Sequence, residues 1–198
     1  MIIKASLIIV FTSLFFAACY ICGNVSKKTG DIPEQLQKNA DEFVISKTGK
    51  DFFNNYINPD YNKITEIKDG YLMVYNFSIP DKEGMEGEIR FSIDSIGNIK
   101  KDKEIVGIPD CKSNSENCSF NISKDEAKNI AKREGLEEGI KEWDINFVWK
   151  PEYKNYTWQI RTTLSETKGT EFYRGSGKAM LIDPNNGSII KTEEWRVN

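Results

Sequence analysis

Four cysteines and no histidine set the chemistry open to this 198-residue chain. Without imidazole it lacks the usual general base near neutral pH, the usual partner of a serine or cysteine nucleophile, and the commonest zinc ligand. That argues against most hydrolases. Cys111 and Cys118 stand in the polar run Asp110-Cys-Lys-Ser-Asn-Ser-Glu-Asn-Cys118, which suits a loop disulfide or a two-thiolate metal site. Zinc needs further ligands, and neither histidines nor other cysteines beyond the leader are there to supply them, so the disulfide is the expectation. Asp81, Glu83, Glu86 and Glu88 crowd around Gly84 and Gly87 and offer carboxylate oxygens to calcium, but they follow no calcium-loop spacing and read as a solvated hairpin tip. Asp183, Asn185 and Asn186 are explained by turn chemistry. Trp143, Trp149, Trp158 and Trp195 are candidates for a surface that stacks on carbohydrate or peptide, with core packing as the competing reading. No catalytic residue, metal or cofactor is expected; an enzyme would need paired acids about 5–10 Å apart in a cleft.

These residues need elements to hold them, and the composition can supply a core. The chain is 39% hydrophobic and 12% aromatic, enough for one or two compact units. Its 27 basic and 30 acidic residues are well mixed and give no electrostatic footprint for nucleic acid. Pro33 suits a first helical position, and Leu36, Ala40, Phe43 and Val44 recur at helical spacing as far as Lys47. Gly49 interrupts that helix, and Phe52, Phe53, Tyr56 and Ile57 continue its face as a second short helix before Pro59. Tyr71, Met73, Tyr75, Phe77 and Ile79 alternate as a strand, and residues 86–94 and 98–105 read as a hairpin around Asp94 to Asn98. Further on, Ser123-Lys-Asp-Glu126 is a capping box opening a helix that buries Ala127, Ile130 and Ala131 and stops at Gly135. Trp143 to Trp149 and Trp158 to Leu164 alternate as strands, Thr167 to Gly177 reads as a glycine-rich loop, and Asp183 to Gly187 turns a last hairpin.

The N-terminus decides the compartment. One lysine, Lys4, precedes the uncharged apolar run Ala5 to Ala18, the layout of a signal peptide with an apolar region of about 7–15 residues. Phe16-Ala17-Ala18-Cys19 resembles the lipobox of bacterial lipoproteins, with Phe16 where that motif usually has Leu. The resemblance implies cleavage after residue 18 and lipidation of Cys19. Two other readings stay open: ordinary cleavage to a secreted protein, and retention of the segment as an anchor of about 18 residues. Residues 19–32 then form a tether, and the protein is expected in the bacterial cell envelope, held to the membrane by its lipid and facing periplasm or exterior.

Residues 33–108 and 122–198 follow a similar order, separated by a disulfide linker at 109–121. Both contain a similar hairpin: Ile93-Asp94 with Gly97 and Ile99, and Ile182-Asp183 with Gly187 and Ile189. Ile122 to Lys132, Tyr156 to Ile160 and Ala179 to Ile190 together resemble the PepSY domain over about residues 120–193. That resemblance implies an α+β fold of two PepSY-like units, each a helix packed on an antiparallel sheet. It also implies an extracellular binding unit whose partner is a protein or peptide, such as a peptidase that it restrains. A structural envelope lipoprotein without inhibitory role is the alternative.

Overall fold

The computed structural model describes residues 32–170 and 172–197. The leader 1–18, Cys19 and the tether up to residue 31 lie outside the described residues. Among the described residues no helix is long and apolar enough to cross a membrane.

Pro33 heads α1 (Glu34–Thr48), one position earlier than its sequence predicts: it is the N-cap, and its carbonyl accepts the amides of Leu36 and Gln37. Leu36, Ala40, Val44 and Thr48 are buried, a four-residue spacing that places them on one stripe. Phe43 flanks the stripe and meets Phe91 edge-on at 4.9 Å. After Gly49 the short α2 (Lys50–Tyr56) sets Phe52 against Phe77 and Phe53 against Tyr75, as the apolar spacing predicted.

The first sheet is built on β3 (Gly70–Ser78). It pairs along 71–78 with β4 (Glu86–Ile93), while β1 (Ile57–Pro59) and β2 (Thr65–Ile67) share its other edge end to end. Alternation turns Met73, Tyr75 and Phe77 inward, each at most 1% exposed. The stretch after β4 departs from expectation. Residues 98–105 form no strand and bridge β4 once, at Ile93–Ile99, with a second bridge, Arg90–Val106, just beyond them. The charged run Lys100-Lys101-Asp102-Lys103 has no apolar alternation and closes a turn of its own, Lys103 donating to the carbonyl of Lys100.

In the second half the capping box forms as read. Ser123 Oγ accepts the Glu126 amide, and the Glu126 carboxylate accepts the Ser123 amide at 2.7 Å, opening α3 (Lys124–Arg133). Its end is closed by the amides of Gly135 and Leu136, bonded to Lys132 and Ala131. The second sheet runs β5 (Asp144–Lys150), β6 (Asn155–Arg161), β8 (Tyr173–Ile182), β9 (Ile189–Val197), with β7 (Ser165–Lys168) continuing the edge of β8 that β6 occupies. The expected loop from Thr167 to Gly177 is therefore mostly the β7–β8 hairpin. Thr162 and Leu164 donate to Lys178 and Ser176 across the gap between β6 and β7. Gly177 permits that approach, since a Cβ there would lie 1.9 Å from the Thr162 carbonyl oxygen. A glycine-rich run lacks the side chains that announce a strand, which hid this hairpin.

Cys111 and Cys118 are disulfide-bonded with Cα atoms 5.3 Å apart, so the two-thiolate metal alternative falls away. The ring is tied to the end of α1 by the Lys112 amide donating to Lys47. Just beyond it Phe120 is fully buried and touches Phe52, Phe77 and Phe147. Phe77 in turn meets Tyr156 at 5.3 Å. One core therefore runs from Leu36 to Ile182 through both sheets, and β4 lies against β5. Each aromatic pair adds about 0.5–1.5 kcal/mol beyond the area it buries. The fold is α+β, with three helices and two antiparallel sheets among the described residues.

The two similar turns are also seated alike. Asp94 bonds Asn98 and Gly97 through its backbone, and Asp183 bonds Ser188 and Gly187 in the same sense. Gly97 and Gly187 both have φ near +80 to +90°, where glycine is preferred. Gly97 sits beneath Asn39 and Leu36 of α1, and Gly187 beneath Ile130 of α3.

Candidate interaction surface

The tryptophans do not gather. Trp158 is 1% exposed, donates its indole to the Ile122 carbonyl at 2.7 Å and contacts Phe147, so it is core and leaves the proposed surface. Strand alternation is the reason: its register with Ile182 puts it on the face that α3 covers. Trp149 is half-buried against Tyr156, and its indole nitrogen is buried without a partner. Trp143 is half-buried and donates to the Glu137 carbonyl. Trp195 lies on the opposite face of the second sheet from Trp158, paired with Gly177, and donates to the Thr162 carbonyl at 2.8 Å. The Arg161 guanidinium stacks over its ring at 4.3 Å.

The candidate acids do not converge either. Glu88 pairs with Lys63 and Arg90, and Glu83 with Lys124. Among the described residues no three or more Asp, Glu, Cys or His side chains are close enough to hold a metal ion. Asp183 caps its own turn through the amide of Asn185, whose side chain then accepts the Phe120 amide. A polar cleft of about 480 Å³ lies here between the disulfide ring and the turn, lined by Asn114, Glu116, Asn121 and Asn186.

The second sheet supplies the most open surface. Among the described residues β9 pairs with β8 alone, leaving nine residues with a free edge. The inward face of this sheet carries Trp158, Ile160, Met180 and Ile182 where α3 packs, and the same face then runs out past the helix as a polar stripe. Cross-strand register places Lys178 beside Glu194, Ser176 beside Arg196 and Ser165, and Arg174 beside Thr167. Two adjoining clefts of about 540 and 300 Å³ lie along this stripe, and both are lined by Ser176 and Arg196.

Charges on the stripe are unevenly matched. Lys178 bonds Glu137 at 2.6 Å; that bond, with Glu194 nearby, raises its pKa. On the flank Lys141 bonds Glu166 at 2.7 Å and holds the carboxyl below its usual value. Arg196 is exposed and has no ion pair or side-chain hydrogen bond among the described residues. Ser165 and Ser176 share one hydrogen bond at 2.8 Å. Exposed Leu164, Phe172, Tyr173 and Val197 rim this end, with the Arg174 guanidinium 5.6 Å from the Phe172 ring centre.

Of the sequence candidates only Trp195 lines one of these clefts, and its ring faces away from the stripe. Arg174, Ser176, Arg196 and Ser165 were missed because they come from three strands separated in sequence. The signal present was the two-residue alternation of Arg174, Ser176 and Lys178, masked by Gly175 and Gly177. The chain matches no protein-family model, no curated protein and no solved structure.

Proposed function

We propose that the chain is an exported, lipid-anchored binding module of the bacterial cell envelope, without catalytic chemistry of its own. It holds an extended segment of a protein partner, a secreted peptidase in the reading we favour, and restrains it. The observation that carries this is the free edge of β9, Ile189–Val197. A strand exposed over nine residues offers unpaired amides and carbonyls that a peptide strand can complete. The exposed Phe172 and Tyr173 with Arg174 and Arg196 are the residue types that enrich protein interfaces.

Export and lipidation rest on Lys4, the apolar run to Ala18, and Cys19. The two-unit reading is supported by the similar hydrogen bonding of Asp94 and Asp183 and by the seating of Gly97 under α1 and Gly187 under α3. The shared core makes these units one cooperative body.

The test is photo-crosslinking from Thr192, exposed on β9, in the full chain within its source envelope, with peptidase activity followed as purified chain is added. Crosslinking to a peptidase whose activity falls supports the proposal. Crosslinks to structural envelope components alone, with peptidase activity unchanged, would leave a structural role.

A further inference from the structure

We infer that the open end of the second sheet is an oxyanion site that takes an acidic side chain of the bound segment, an inference resting on the strand-addition reading above. Arg196 supplies the cation. It belongs to β9 itself, so a segment added to the β9 edge runs directly alongside it. Lys178 stands between two acids, Glu137 and Glu194, whereas the smaller cleft, lined by Ser165, Thr167, Arg174, Ser176 and Arg196, has two guanidiniums and no carboxylate among the described residues.

Ser176 stands cross-strand from Arg196, and its hydroxyl shares a single hydrogen bond with Ser165. Two hydroxyls with one bond between them retain a second proton, free to donate to a carboxylate held by the guanidinium. Arg174 lies two residues from Ser176 on the same face of β8, about 7 Å along the strand, and extends the positive field toward the rim. Leu164 lines the adjoining cleft, and Phe172 lies against the Arg174 guanidinium with 5.6 Å to its ring centre.

Because side chains alternate along an extended segment, one acidic residue facing Arg196 places its neighbours on the Trp195 face. The preferred ligand is therefore an extended peptide in which a glutamate or aspartate alternates with apolar residues.

Acetylated and amidated Val-Glu-Val-Glu-Val, Val-Gln-Val-Gln-Val and Val-Lys-Val-Lys-Val are titrated into the full chain in detergent by calorimetry, with inorganic phosphate as a separate arm. The glutamate peptide is expected to bind at least about tenfold tighter than the glutamine peptide, the lysine peptide most weakly. The preference should fall in about 0.5 M salt, shrink in Arg196→Gln and Arg174→Gln, and survive in Arg133→Gln on α3. Arg196 and Arg174 are exposed, so both variants should keep the parent circular dichroism and melting point, and Arg196→Lys should recover part of the preference. Equal binding of the glutamate and glutamine peptides, or a preference unchanged in Arg196→Gln, overturns the carboxylate site while strand addition stands. Phosphate binding as tightly as the glutamate peptide overturns it in favour of a free-anion site. If none of the peptides binds while Thr192 still crosslinks a peptidase, the oxyanion site fails and the proposed function does not; if neither occurs, both fall.

Discussion

The Tyr156 hydroxyl donates to the carbonyl of Gly107 at 3.2 Å, so the second sheet is bonded to the segment that closes the first. Tyr156 also lies flat on Phe147, ring centres 4.9 Å apart, and burial raises its pKa, which keeps the hydroxyl a donor across ordinary pH.

Tyr156→Phe should lower stability by about 1 kcal/mol, the value of one hydrogen bond, while Tyr156→Ala should cost about 3–5 kcal/mol. Urea unfolding followed by near-ultraviolet circular dichroism and by fluorescence should give one coincident transition in each case, since the two halves share this contact. Two separated transitions would show the halves to be independent.

The tryptophans should separate by energy. Trp158→Ala should cost about 3–5 kcal/mol, because it empties the core between α3 and β6. Trp195→Ala should cost about 1–2 kcal/mol, for one hydrogen bond and the Arg161 stack. Similar losses from the two substitutions, measured by denaturant midpoint, would contradict this assignment.

Replacing both Cys111 and Cys118 by serine should reduce stability by roughly 2–3 kcal/mol on the loop-entropy account, the sequence separation being 7. At about 2–4 °C per kcal/mol for a chain of this size, calorimetry should find a clear drop in melting temperature with the fold retained. The fold survives because the main apolar contacts lie in the shared core and not in the ring. An unfolded double variant would show the ring to be essential.

Acid should destabilise the protein. Glu126 is held below 4.5, first by the Ser123 amide; Asp94 below 3.8, first by the Asn98 side chain; and Glu166 below 4.5, first by Lys141. With folded values depressed, the unfolded chain binds more protons in acid. The stabilisation is present above the ordinary carboxylate values and is lost as pH falls through the folded ones, beginning near about pH 5. Without histidine no imidazole titrates near neutrality, so the urea midpoint should be level around pH 7 and fall below about pH 5. Glu126→Gln and Asp94→Asn should each reduce that fall. A midpoint unchanged from pH 7 to pH 3 would contradict it.

Local order was legible where one short stretch contains both halves of an interaction. Ser123 and Glu126 cap each other three residues apart, Leu36, Ala40 and Val44 repeat with the helix period, and Asp94 and Asp183 bond amides within their own turns. The disulfide belongs to the same class, because so short a spacing leaves little doubt about which cysteines meet.

Tertiary structure decided everything that depends on which distant strands become neighbours. The β7–β8 hairpin exists because Gly177 lets the Thr162 carbonyl approach, and residues 98–105 fail as a strand because their charges have no apolar face to bury. Phe120, read as part of a linker, became core once Phe52, Phe77 and Phe147 closed around it. Trp158 and Trp195 are alike in sequence terms and fall on opposite faces of one sheet, and Arg196 meets Ser176 only through the β8–β9 register. Period and capping are set by bonds within a few residues and can be read in one dimension; a face, an edge or a cleft is set by pairing between segments far apart in the chain.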